Sequence, residues 1–151
     1  MRLSQKLVVT LATLGPIGSL PAPGTFGTLI ALFCAWMLSG YWWYPLFVVA
    51  VFIASWYIVR EALKVFNQKD PSQIVLDEFV GCLLTLVWIP QRYELFIAGF
   101  FLFRFFDITK CCGVAWFEGL NRTSGVLLDD CFAGLLTNII LCIILMSNII
   151  K

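Results

Sequence analysis

The sequence predicts an all-α fold: a small multi-pass membrane bundle with four to five apolar helices, some of them short or re-entrant. Apolar residues make up 61% of the 151-residue chain and charged residues only 13%, whereas soluble domains contain about 25% charged residues. The apolar runs are mostly about 11 to 16 residues long, while a full crossing needs about 20. Some helices are therefore expected to be tilted or re-entrant. The length suits a single domain over 1–151.

Two membrane helices are predicted in the N-terminal half. A Gly/Pro-rich stretch over 15–27 interrupts the first apolar run, and Thr25 is a candidate N-cap for a helix continuing over 28–38. Backbone N–H groups at such a helix start can bind a phosphate. The aromatic turn 41–44 is typical of a membrane interface. The second helix is predicted over 46–59.

The C-terminal half is predicted to contain three further helices. The first of them has Asp70 as its N-cap and Pro71 in its first position, and it runs through to Ile89. The other two are predicted over 95–106 and 126–150, separated by a mixed loop or short amphipathic segment over 111–125.

The distribution of basic residues predicts the orientation. With a cytoplasmic N-terminus and five crossings, Arg92 and Lys151 are the basic residues that fall outside, as the positive-inside rule prefers. The same scheme brings most of the acidic residues to the cytoplasmic surface.

Two pairs of adjacent carboxylates, Asp77-Glu78 and Asp129-Asp130, are the candidate functional residues. The second pair precedes the run 131–150, which contains no charged residue. A carboxylate near the bilayer centre costs about 2.5–3.5 kcal/mol. Single aspartates at helix starts are usually caps, but a cap needs one carboxylate and not two. Because the chain contains no histidine, carboxylates on separate helices favour a hard cation such as Mg²⁺.

Basic side chains near these acids suit a phosphate group. Arg104, Asp107 and Lys110 recur at every third position, so in a helix they share one face with Asp107 between two cations. Arg122 is a further candidate for phosphate. Acids and bases at one membrane face indicate phosphoryl chemistry on a lipid. Two alternatives remain: a ladder of surface ion pairs, or a small membrane transporter or channel subunit with an acidic cation path.

Four motifs in order resemble the phosphatidylglycerophosphatase A family, over nearly the whole chain. They are Pro23–Thr28, Asp70-Pro71 with Ile74–Gly81, Phe103–Lys110 and Gly125–Gly134. The resemblance implies an all-helical Mg²⁺-dependent phosphatase in the bacterial inner membrane, with phosphatidylglycerol phosphate as its phospholipid substrate. Two departures stand out, since the family usually has proline after the lysine and a Gly-Gly-x-Gly run before the last acid pair. This chain has Cys111–Gly113 and Arg122–Gly125 there.

On this hypothesis each candidate residue has a role, and the site faces the cytoplasm. The predicted metal ligands are Asp77, Glu78, Asp129 and Asp130. The predicted catalytic residues are Asp107, Lys110, Asp129 and Asp130, and the predicted substrate-binding residues are Thr25, Arg104, Lys110 and Arg122.

Overall fold

The computed structural model describes residues 3–68, 71–118 and 122–147, apart from the side chains of residues 118 and 122. Within these ranges the chain is all-helical and has no strand, so the predicted all-α class is confirmed. Asp70 and residues 148–151 lie outside the described residues. The α-helices are α1 (Leu3–Ala12), α2 (Pro23–Leu38), α3 (Tyr44–Phe66), α4 (Leu76–Thr85), α5 (Tyr93–Thr109), α6 (Val114–Glu118) and α7 (Arg122–Met146), with a 3-10 helix over Gly15–Ser19.

Helix α2 begins earlier than predicted. Its N-cap is Ala22, which has a left-handed backbone (φ 56°), and Pro23 occupies the first turn. Proline suits this position because the first N–H groups of a helix have no intrahelical partner. Thr25 lies inside the helix, where its N–H donates to the Ala22 carbonyl at 3.0 Å. The prediction that Thr25 is the N-cap is therefore wrong.

Helix α4 is shorter at both ends than predicted. It begins at Leu76, not at Pro71, because the Ile74 N–H closes a turn on the Pro71 carbonyl and the Val75 N–H donates to Ala12 at the end of α1. The prediction of a helix with Pro71 in its first position is therefore wrong.

The other end of α4 stops at Thr85 and does not reach Ile89. The amide of Asn138 in α7 donates to the carbonyls of Thr85 and Val87, at 2.9 Å each. Asn138 thus satisfies carbonyls that the end of a helix leaves without a partner.

Helix α5 extends further at its C-terminal end than predicted, and helix α7 extends further at its N-terminal end. Helix α5 reaches Thr109, and Lys110 follows it as the C-cap with a left-handed backbone (φ 50°). Helix α7 begins at Arg122 and not near Val126. Asp129 and Asp130 consequently lie about two turns inside α7 and do not cap it.

The bundle has two chemically different ends. At the aromatic end, Trp36 near the end of α2 stacks on Tyr93 at the start of α5, with ring centroids 4.8 Å apart. Gln91 donates to the Trp36 carbonyl at 2.6 Å. The starts of α2, α4 and α7 meet the end of α5 at the opposite end, called the acidic end below.

Two described helices are long and apolar enough to cross a membrane, namely α3 and residues Thr123–Met146 of α7. In their most apolar windows only 28% and 44% of the residues are buried inside the protein. The core helix of a soluble protein would be mostly buried. Helices α1 and α2 are apolar but shorter.

Helices α4 and α7 cross at two glycines, Gly81 and Gly134. A Cβ atom on Gly134 would lie 2.2 Å from the Gly81 carbonyl oxygen, and one on Gly81 would lie 2.6 Å from that of Asp130. Small residues permit such close backbone contact between helices. Asp77 and Asp130 each precede one of these glycines by four residues, which is one helical turn. The crossing therefore brings the two acid pairs together.

We expect Gly134→Ala to lower the thermal unfolding midpoint of the detergent-solubilised protein, followed by circular dichroism. Overpacking costs about 1–3 kcal/mol, while replacing a helical glycine by alanine returns about 1 kcal/mol. The matched control is Gly99→Ala in α5, where a Cβ meets only side-chain atoms at 3.3–3.4 Å. Equal midpoints for the two variants would contradict a rigid glycine crossing.

Candidate active site

A polar cavity of about 370 Å³ lies at the acidic end. Its lining residues are Ala22, Pro23, Gly24, Ser72, Ile74, Asp77, Glu78, Arg104, Asp107, Ile108, Lys110, Val126, Asp129 and Asp130. The structure thus brings together seven of the nine predicted site residues. Of the other two, Thr25 is not among the lining residues, although its neighbours Pro23 and Gly24 are, and the side chain of Arg122 lies outside the described part.

Three carboxylates from two helices converge in this cavity. Asp77, Glu78 and Asp130 each offer one oxygen, and these oxygens lie within 4.8 Å of one another. One oxygen of Glu78, Oε2, is buried and has no hydrogen-bond partner among the described residues. Carboxylate oxygens are the ligands that Mg²⁺ prefers, and a buried acceptor without a donor needs a cation or a proton. These residues therefore fit a divalent cation.

Asp129 differs from the other three predicted metal ligands in the hydrogen bonds that its oxygens accept. Its Oδ2 accepts a hydrogen bond from Lys110 Nζ at 2.7 Å, and its Oδ1 accepts one from the Asp130 N–H at 2.9 Å. Both oxygens are thus engaged by the protein. Asp77, Glu78 and Asp130 form a converging group, whereas Asp129 lies outside that group and makes the shortest contact with Lys110. Metal binding by Asp129 stays a prediction.

Asp107 lies between two cations, as the spacing predicts. Its Oδ2 accepts from Arg104 Nη1 at 2.6 Å and its Oδ1 from Lys110 Nζ at 3.0 Å. Lys110 lies just beyond the helix, yet its side chain still reaches back to Asp107 and across to Asp130 at 3.4 Å. Arg104 Nη1 also approaches Glu78 Oε1 at 4.0 Å. The two bases therefore bridge the acids of all three helices.

The cavity has more negative than positive groups. Among the described residues, five carboxylates and two bases line it, which leaves an excess of three negative charges if all of these are ionised (five minus two). Burial, followed by repulsion from Glu78 and Asp130, raises the pKa of Asp77. Burial also raises the pKa of Glu78, opposed by a hydrogen bond with Asp77 and reinforced by repulsion from Asp107. Both residues lie in α4, outside the candidate membrane helices α3 and α7. A bound cation would favour their ionised forms.

Lys110 has the opposite balance. Burial lowers its pKa, but the charges of Asp130, Asp107 and Asp129 outweigh burial and raise the pKa above its ordinary value. Lys110 is therefore an ammonium at physiological pH and serves as a fixed positive charge.

The roles of the glycines at this site could not be inferred from the charged residues of the sequence. A Cβ on Gly24 would lie 2.1 Å from Glu78 Oε1 and 3.2 Å from Arg104 Nη1, so the start of α2 forms a tight wall against both groups. Gly81 and Gly134 set the approach of α4 to α7. The sequence does contain a signal for the second feature, because both helices have an acid four residues before a glycine.

Comparison with known proteins identifies relatives over most of the chain. The family model of phosphatidylglycerophosphatase A matches residues 10–145. The chain is 33% identical to phosphatidylglycerophosphatase A of Haemophilus influenzae, over 76% of this chain and 74% of that protein. It is 31% identical to phosphatidylglycerophosphatase A of Escherichia coli K12, over 76% and 69%.

A third relative has a different name. It is a protein of Bacteroides thetaiotaomicron named as a candidate phosphatidylinositol-3-phosphatase, 34% identical over 81% of this chain and 82% of that protein. No solved structure matches the chain. The match of a single family model to nearly the full length, with the acid pairs and bases gathered in one cavity, shows that the chain belongs to the phosphatidylglycerophosphatase A family.

Proposed function

We propose that Asp77, Glu78 and Asp130 hold Mg²⁺, and that the cavity hydrolyses the phosphate monoester of phosphatidylglycerol phosphate there. As a member of its family the protein is a phosphatase that releases phosphatidylglycerol and inorganic phosphate, which confirms the predicted reaction. The metal and the roles of individual residues are the proposed part. The observation that carries the proposal is the three-carboxylate group with its unpartnered Glu78 oxygen.

The bases of the site are proposed to bind the phosphate. A phosphate monoester carries up to two negative charges, which the excess of carboxylates would repel. Arg104 and Lys110 supply the opposite charge, and Arg104 Nε is a buried donor without a hydrogen-bond partner in the described part of the chain. Asp107 holds both bases, and Asp129 fixes Lys110 from the other side.

Direct attack by water is the proposed reaction. Water forms the new phosphorus–oxygen bond and gives up a proton, while the bond to the glycerol oxygen breaks and that oxygen takes up a proton. When bound, a divalent cation supplies polarisation of a phosphoryl oxygen and a lower pKa for water. The neighbouring bases neutralise charge that develops on the phosphoryl oxygens.

The site is further proposed to lie at the cytoplasmic surface of a bacterial inner membrane, in a multi-pass protein. Two candidate membrane helices and the family indicate a membrane-associated protein. Large apolar side chains stay exposed along several helices, among them Phe33, Leu46, Ile97 and Ile143. The basic residues Arg60 and Lys64 of α3 also lie towards the acidic end. The positive-inside rule places such residues in the cytoplasm.

Cysteine labelling is expected to confirm this orientation. In a protein whose native cysteines have been replaced, Gln91→Cys at the aromatic end should react with an impermeant maleimide in intact cells. Asn67→Cys, which is exposed at the end of α3, should react only after the cells are opened. Strong labelling at position 67 of intact cells, with none at position 91, would reverse the topology.

Removal of divalent cations is expected to abolish phosphate release from phosphatidylglycerol phosphate in detergent. The reason is that the converging carboxylates would then repel one another and the substrate. Chelation by EDTA should reduce turnover to the background rate, and excess Mg²⁺ should restore it. Phosphatidylinositol 3-phosphate serves as the comparison lipid, because one relative has a name that refers to it. Full turnover in EDTA would contradict the metal proposal, and absence of turnover under every condition would contradict the function.

A further inference from the structure

A shallow apolar groove runs along α5 next to the polar cavity. It is lined by Phe101, Leu102, Arg104, Phe105, Ile108 and Thr109. Three of these side chains are large, apolar and largely exposed, with exposed fractions of 67% for Phe101, 54% for Phe105 and 69% for Ile108. They follow one another at intervals of four and three residues, so they lie along one face of the helix.

The groove and the polar cavity share two lining residues, Arg104 and Ile108. The guanidinium of Arg104 donates a hydrogen bond to Asp107 in the cavity at 2.6 Å. Arg104 therefore contributes a polar group where the cavity and the groove meet. Ile108 lines the cavity but exposes most of its surface. From Ile108 the apolar face extends back to Phe101 over seven residues, about 10 Å at the rise of an α-helix.

A second apolar cavity lacks this connection. It measures about 310 Å³ and is lined by residues of α3, α4, α6 and α7, including Val48, Phe52, Phe117 and Leu135. None of its described lining residues lines the polar cavity. The described lining of this cavity is therefore not shared with the site proposed to hold the phosphate.

We propose that the α5 groove, formed by Phe101, Phe105 and Ile108, binds an acyl chain of the phospholipid substrate while its phosphate lies in the polar cavity. The inference rests on the proposed function, since a lipid phosphate monoester is the molecule that needs a charged site and an apolar path side by side. Burial of each methylene against this face contributes to binding through the hydrophobic effect. The groove would thus distinguish membrane lipid from short-chain or water-soluble monoesters.

The test compares two substrates in mixed detergent micelles, dioleoyl and dihexanoyl phosphatidylglycerol phosphate. Phe101→Ser and Phe105→Ser are expected to raise KM for the dioleoyl lipid at least about fivefold and to leave KM for the dihexanoyl lipid within about twofold. Phe105→Leu, which keeps an apolar side chain, should restore most of the affinity. The matched control is Ile53→Ser on α3, a residue that is 52% exposed and lines neither the polar cavity nor the groove. This variant should change neither KM.

Each other outcome overturns the proposal in a recognisable way. Unchanged KM for the dioleoyl lipid would show that the groove is not used. Equal losses for both lipids would indicate a structural defect of α5. A fall in the mass of the solubilised particle in the serine variants would show that a second protein copy covers the groove. Absence of phosphate release from both lipids by the unaltered protein would instead overturn the proposed function.

Discussion

Replacement of Asp130 by asparagine is expected to lower kcat/KM for phosphatidylglycerol phosphate by at least about 100-fold, or about 2.7 kcal/mol of transition-state stabilisation. Asp130 is 3% exposed, joins the three-carboxylate group and lies 3.4 Å from Lys110 Nζ. The carboxamide keeps the size of the side chain, but it removes the negative charge that Asp130 offers to a bound cation and to Lys110. Phosphate release at saturating Mg²⁺ is the measurement.

Two companion variants separate the possible causes. Glu61→Gln removes an exposed carboxylate on α3 that pairs with Lys64, and it should leave turnover unchanged. Asp129→Asn should also lower turnover by about 100-fold, but through a displaced Lys110, so the Mg²⁺ concentration for half-maximal activity should change little. Near-normal turnover of both Asp130→Asn and Asp129→Asn would contradict the site assignment.

Lys110→Ala is the second variant with a large expected effect, a loss in kcat/KM of about 100-fold or more. Its ammonium contacts Asp107, Asp129 and Asp130. Removal of one partner of a buried ion pair lowers folding stability by about 3–5 kcal/mol, because it leaves uncompensated charge. The loss of stability here is smaller, because the lysine side chain is 25% exposed. We expect a higher KM and a lower kcat, since the phosphate loses its positive partner.

The matched control for Lys110 is Lys64→Ala at the same end of the bundle. Lys64 pairs with Glu61, but its side chain is 60% exposed, and exposed pairs contribute about 0–1 kcal/mol. Turnover and thermal stability of this variant should therefore stay close to those of the unaltered protein. If Lys110→Ala changes neither kinetic constant, the Arg104–Asp107–Lys110 stripe is an ion-pair ladder without a role in the reaction.

The members of the site were largely predictable, because charge in an apolar chain is conspicuous. Asp77, Glu78, Asp129 and Asp130 are recognisable as two adjacent pairs beside apolar runs, and the spacing of Arg104, Asp107 and Lys110 places Asp107 between two bases. Sequence alone did not separate Asp129 from the other three acids. That difference depends on the direction of approach of Lys110, which leaves its helix through a left-handed backbone at the C-cap.

The ends of the helices were less predictable, because contacts from other parts of the chain decide them. Pro71 suggests a helix start, but the hydrogen bond from Val75 to Ala12 ties this segment to α1 and delays α4 until Leu76. Asn138 ends the same helix from a position far along the sequence. Local preferences contain no information on such partners.

Binding of Mn²⁺ to the detergent-solubilised protein, followed by electron paramagnetic resonance, tests the central claim most directly. Mn²⁺ shares the preference of Mg²⁺ for carboxylate oxygens, and its binding can be measured without turnover. The account predicts a site from which Mg²⁺ displaces Mn²⁺. Asp77→Asn should weaken it at least about tenfold, or about 1.4 kcal/mol. Lys110→Ala should not weaken it, because the ammonium that contacts Asp130 is itself a competing positive charge. Equal Mn²⁺ affinity in the unaltered protein and in Asp77→Asn would contradict a cation held by Asp77, Glu78 and Asp130.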